Sequence, residues 1–130
     1  MAEAGTVLIA VRDAVLADSL RFSLELEGYA AKLCDLPFNP VQSVEPRACL
    51  LLDQDVFATL IGKGDGAALG RLGVPTVLMV NQRTQRLLEH AKAAGVTSIV
   101  EKPLLGGVLF ETIRKVLDGD TSLDGNFKLR

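Results

Sequence analysis

The sequence has no tryptophan, one histidine and few aromatic residues of any kind, 5% in all. That excludes the stacked aromatic platforms on which proteins hold single-stranded nucleic acid. There is no basic excess either: 14 Lys and Arg stand against 16 Asp and Glu, a formal net charge of −2. Such a balance offers no footprint for a phosphate backbone, so direct nucleic-acid contact is not expected. No apolar run approaches the roughly 18 residues of a membrane helix. The opening MAEAG has no basic segment of a secretory signal. A cytoplasmic protein without membrane contact is therefore expected. Cysteine is limited to Cys34 and Cys49, both in apolar strand-like runs and without metal-ligand spacing. They read as buried free thiols of a reducing compartment.

What is present is an ordinary globular composition, 48% hydrophobic and 23% charged over 130 residues, which fits one domain around one core. Apolar runs alternate with helical patterns along the whole chain. Thr6 to Val11 (TVLIAV) reads as a buried strand. Asp13 is a candidate N-cap, followed by Leu16, Leu20 and Leu24 at helical spacing and by Gly28 as the stop. Tyr29 to Cys34 reads as a second strand, and Pro37, Pro40 and Pro46 keep any helix after it brief. Ala48 to Leu52 reads as the third strand, ending on Asp53. From Phe57 to Leu72 the spacing is helical but broken by four glycines, which predicts a late or distorted helix.

Thr76 to Val80, Arg83 to Ala94, Ser98 to Val100 and Leu104 to Leu117 complete the pattern as strand, helix, strand and helix. Leu105, Leu109, Ile113, Val116 and Leu117 supply the last core face. Residues 1–118 form the expected domain, and the polar, glycine-containing stretch 119–130 reads as a tail or linker. Five strands alternating with helices require a parallel sheet covered on both faces, because parallel strands need crossover connections. Ligand chemistry in such a sheet gathers at the C-terminal strand ends. The places to inspect are therefore the residues after Val11, Asp53, and the ends at Val80 and Lys102.

A carboxylate at Asp53 and an ammonium at Lys102 would share one crevice. Singly, each has a commoner role, as a helix cap and a solvated lysine; their joint placement is the stronger signal. With these residues the sequence resembles the CheY-like receiver domains of response regulators, and among them the FixJ type. The resemblance covers nearly the whole chain. It rests on LLLD at the third strand, SLRFSLELEGY at the first helix, and VPTVLMVNQRTQRLLEHAKAAGVTSIVEKP with its AG and KP. It implies a flavodoxin-like sheet of order 2-1-3-4-5, a role in two-component signalling, and no enzymatic activity beyond self-phosphorylation. By that resemblance Asp53 attacks a phosphohistidine donor to form an acyl phosphate. Lys102 then holds the carboxylate and phosphoryl oxygens. The Lys102-Pro103 bond becomes a candidate cis peptide.

The chain departs from the family where the family binds Mg2+. An acidic pair is replaced by Val11 and Arg12. Valine has no oxygen for a cation that demands oxygen ligands, and arginine is permanently positive. At about 4 Å and an effective dielectric of ~20, like charges oppose each other by about 4 kcal/mol, and a dication doubles that. Asp13 is the remaining nearby acid, one position late, with two readings: helix N-cap, the commoner role, or metal ligand. Asp55 stands where the family uses a backbone carbonyl, and it too reads as a cap or an oxygen donor. The family's switch hydroxyl and aromatic are replaced by Val80 and Ile99, which cannot donate a hydrogen bond. Asn81 follows with an amide that could bind or cap, and the usual proline is Phe57. Arg12 has two uses open to it: pairing with Asp53 in place of the metal charge, or pointing to solvent.

The resemblance implies a sensor histidine kinase or another signalling protein as partner. It also implies homodimerisation through the face made by the helix over 83–94, the strand over 98–100 and the helix over 104–117. Two functions within the family follow: an atypical receiver acting without phosphorylation, and a phosphoacceptor with weakened Mg2+ dependence. A flavodoxin-like cofactor-binding enzyme needs a Ser/Thr/Gly-rich loop after the first strand, and VRDAVLADS does not provide one. His90, between Glu89 and Lys92, reads as a surface residue. GKGDG at 62–66 lacks the spacing of a phosphate loop and reads as a flexible one.

Overall fold

Each apolar run of the sequence becomes one strand, and each helical pattern a helix on one face of the sheet or the other. The computed structural model describes residues 5–35, 47–64, 69–70, 73–102 and 107–119. In chain order the elements are β1 (Thr6–Ala10), α1 (Ala14–Leu26), β2 (Ala30–Leu33), β3 (Ala48–Asp53), α2 (Gln54–Gly62), β4 (Thr76–Val80), α3 (Gln85–Ala94), β5 (Ser98–Glu101) and α4 (Val108–Leu117). The proline-containing stretch 36–46, the Lys102-Pro103 peptide, residues 104–106 and the segment from 120 onward lie outside the described residues.

The five strands pair in parallel in the order β2-β1-β3-β4-β5, as expected of a flavodoxin-like sheet. Successive side chains of a strand leave opposite faces, and in β1, β3 and β4 both faces are buried. Val7, Ile9, Cys49, Leu51, Val77, Met79 and Val100 form one core with Leu20 and Leu24 of α1 and Ile113 and Val116 of α4. Ala10, Leu50, Leu52, Leu78, Val80 and Ile99 form the other, with Phe57 and Leu60 of α2 and Leu88 and Ala91 of α3. At ~1.5–3 kcal/mol per fully buried large aliphatic side chain, this two-sided burial is what holds the sheet. It also explains why the central strands read as unbroken apolar runs instead of alternating ones.

Helix ends follow their sequence signals. Asp13 caps α1, its Oδ1 accepting from the N–H groups of Val15 at 3.0 Å and Leu16 at 3.2 Å. Thr84 caps α3 in the same way through Leu87 N–H. Gly95 ends α3 at φ 90°, and a Cβ there would meet the Gly70 Cα at 2.8 Å, so both backbone angle and space require glycine.

Two expectations are corrected. The third predicted helix does not start late at Phe57: α2 begins at Gln54, directly after Asp53, and ends at Gly62. Asp53 in extended geometry is already a good N-cap position, and Asp55 adds a favourable charge in the first turn. Gly62 is the last residue of the helix, and Gly64 follows its cap at φ 77°. Cys34 is not fully buried; it lies just past β2 and is half-buried, whereas Cys49 is buried in β3.

Candidate functional site

The crevice lies over the C-terminal ends of β1, β3, β4 and β5, where the strand order reverses. Asp53 is the last residue of β3 and only 5% exposed. Lys102 follows directly on β5, and its N–H donates to the Val80 carbonyl at 2.8 Å, which fixes where its side chain departs. β4 separates these strands, so the two backbones stand two strand spacings apart, ~10 Å. The four-carbon lysine stem covers that gap, and Nζ lies 2.7 Å from Asp53 Oδ1. The contact is an ion pair that falls short of hydrogen-bond alignment, leaving Oδ1 buried without a hydrogen-bond partner. The sequence brought these two residues together as expected.

The β1 side is different. Val11 is packed into the core with α1 and α4. Arg12 is exposed and does not engage Asp53: its guanidinium donates to Thr59 Oγ1 at 3.1 Å. The Thr59 hydroxyl in turn donates to the Asp55 carbonyl at 3.1 Å. Because α2 starts immediately after Asp53, that carbonyl lies within the first helical turn and takes its hydrogen bond from the helix. Asp55 itself is exposed. Of the two roles open to Asp13, the structure shows the capping one.

The residues do not fit a resident Mg2+. Val11 offers no donor, Arg12 brings a fixed positive charge, and Asp13 Oδ1 is taken by two backbone N–H groups. Among the described residues, no group of three His, Cys, Asp or Glu side chains is placed to hold a metal ion.

The β4 side is hydrocarbon. Val80 and Ile99 are buried in the second core. Asn81 is exposed, and it enters the site through its backbone: its N–H donates to Gln54 Oε1 at 2.8 Å. Arg83 donates to the Ile99 carbonyl at 2.9 Å. Gln54, Thr59 and Arg83 were not singled out from the sequence. A helix placed one turn earlier would have exposed Thr59 as the i+4 partner of Asp55; nothing local marks Gln54 or Arg83. His90 is exposed on α3, as expected.

The thiols respond to burial. Desolvation pushes Cys49 up to about 12, and it raises Cys34 as well, with Asp35 adding to the effect.

No family model and no curated protein matches the chain. Solved structures do. Full-length FixJ from B. japonicum is 20% identical, with a TM-score of 0.69; the match covers 95% of this chain and 63% of that one. A response regulator receiver protein from Burkholderia phymatum is 26% identical, with a TM-score of 0.65, over 88% of this chain and 95% of that one. A two-component response regulator from Clostridium difficile is 19% identical, with a TM-score of 0.63, over 91% and 99%. The fold of this chain is that of the response-regulator receiver domains. It spans less than two thirds of the length of FixJ. Among the described residues no helix is long and apolar enough to cross a membrane.

Proposed function

We propose that this chain is an atypical receiver of two-component signalling, which works by protein–protein contact and does not need phosphorylation of Asp53. The observation that carries this is Arg12. A guanidinium stands where the family places a metal-binding acid, and it is tied to Thr59 on α2 instead of to the carboxylate. A phosphoryl group transferred to Asp53 would arrive with no divalent ion to neutralise its charge. It would also find no side-chain hydroxyl at the end of β4. The partner is a sensor histidine kinase or another signalling protein, and the face of α3, β5 and α4 is the surface for partner contact or homodimerisation. Residues 1–118 act as the module and 119–130 as a tail or linker. Neither nucleic acid nor membrane is contacted by this domain, and its place is the cytoplasm.

The second reading is a phosphoacceptor with weakened Mg2+ dependence. It is favoured by the intact pair of Asp53 and Lys102 at 2.7 Å, which supplies both a nucleophile and one cation for phosphoryl oxygens. Incubation with acetyl phosphate and Mg2+, followed by intact mass, separates the two. The proposal expects no adduct. A stoichiometric phosphoryl adduct that disappears in Asp53→Asn would establish the second reading.

A further inference from the structure

The loop that leads from β4 into α3 is held at several points. At its start, Asn81 N–H donates to Gln54 Oε1 at 2.8 Å. Next to it the Val80 carbonyl accepts from Lys102 N–H at 2.8 Å. Further on, the Arg83 guanidinium reaches the Ile99 carbonyl of β5 at 2.9 Å. Thr84 then closes the loop as the cap of α3.

The Asn81 N–H is the donor of interest. β3 and β4 pair with Asp53 opposite Met79, so Asn81 lies two residues past that register, over the same crevice. It is the first backbone N–H beyond β4. Gln54 is covalently next to Asp53 and has already taken it. Val80 and Ile99 offer no side-chain donor in its place.

The geometry points to Gln54 as a positioning residue. Its side-chain oxygen supplies, from within the chain, the acceptor for the loop's first N–H, so the arrangement of the β4–α3 loop does not depend on the chemical state of Asp53. This rests on the reading of the site as phosphorylation-independent and names what makes it so. Arg83 fixes the other end of the same loop to β5, and the surface of α3 and β5 is thereby kept in one form for its partner. A net hydrogen bond of this kind is worth on the order of a tenfold change in local opening.

The test is amide hydrogen exchange and 1H–15N spectra of the whole chain as wild type, Gln54→Ala and Gln54→Glu. Gln54→Glu keeps an oxygen acceptor at the same atom. In Gln54→Ala, Asn81 exchange is expected to accelerate about tenfold, with shifts confined to the loop, the start of α3 and β5. The urea midpoint should fall by no more than corresponds to the same tenfold effect, about 1.4 kcal/mol, and the amides of α1 should stay in place. Gln54→Glu should retain the protection. Unchanged Asn81 exchange in Gln54→Ala would overturn the role of Gln54, whatever Asp53 does. Beryllofluoride with Mg2+ on the wild type separates the two proposals. An adduct that leaves the α3 and β5 amides unmoved supports Gln54 while refuting the phosphorylation-independent reading. An adduct that displaces them overturns both.

Discussion

Asp53 has unlike neighbours on its two sides. Toward β5 it meets Lys102 at 2.7 Å, a pairing that a buried carboxylate requires whether or not it reacts. Toward β1 it meets a packed valine and an arginine that turns away to Thr59. The first side serves the charge balance of the fold. The second is where a divalent ion would need oxygen ligands, and there the donors are missing. The contrast teaches that a strand-end acid and its lysine can pair beside a crevice whose other side offers no oxygen ligands.

The largest effect is expected on the β5 side. Lys102→Met leaves Asp53 buried without a cation. Such losses cost about 3–5 kcal/mol in dry sites, and the partial exposure of Lys102 should reduce this to about 2 kcal/mol in urea unfolding at pH 7. Adding Asp53→Asn to that variant should recover most of the loss, because removing both partners costs less than orphaning one. On the β1 side, Asp13→Ala should cost about 1 kcal/mol through the two lost capping bonds. Wild type and variant should both show no Mg2+ response; a wild-type response that Asp13→Ala abolishes would reinstate Asp13 as a ligand. Arg12→Asp should change stability by no more than about 0.5 kcal/mol. It should nevertheless create Mg2+-dependent amide shifts around Asp53, making the two sides alike.

The smallest effect serves as a control within β3, away from the crevice. Cys49, whose thiol burial pushes up to about 12, should resist alkylation in the native protein at pH 8.5, while half-buried Cys34 labels first. Mass spectrometry should show both labels only in denaturant. The sign for stability follows from linkage. The unfolded thiol ionises first, so this contribution is intact below about pH 8.5 and declines as pH rises toward about 12.

The parallel five-stranded sheet was legible in its two-sided apolar runs, and the Asp53–Lys102 contact in the rule that active groups collect at strand ends, whereas the strand order followed from the family resemblance. Asp13 was legible as a cap for the same local reason that it functions as one. The start of α2 was not. The apolar spacing begins at Val56 and Phe57, while the helix is nucleated by polar residues, Gln54 and Asp55, that carry no hydrophobic signal. That one-turn error concealed the Arg12–Thr59–Asp55 chain. Gln54 and Arg83 were hidden for a different reason. Each acts on a backbone group that is distant in sequence, 27 residues away for Asn81 and 16 for Ile99, and no pattern of side-chain types encodes such a partner.

The central claim is that the β1 side of the crevice no longer supports metal-assisted phosphorylation of Asp53. It is tested most directly by 1H–15N spectra of the wild-type chain titrated with Mg2+, first alone and then with beryllofluoride. The account predicts that the amides of residues 11–13, 53–55 and 80–83 do not move in either titration. Saturable shifts of those amides on adding Mg2+, followed by a second, slowly exchanging set with beryllofluoride, would contradict it.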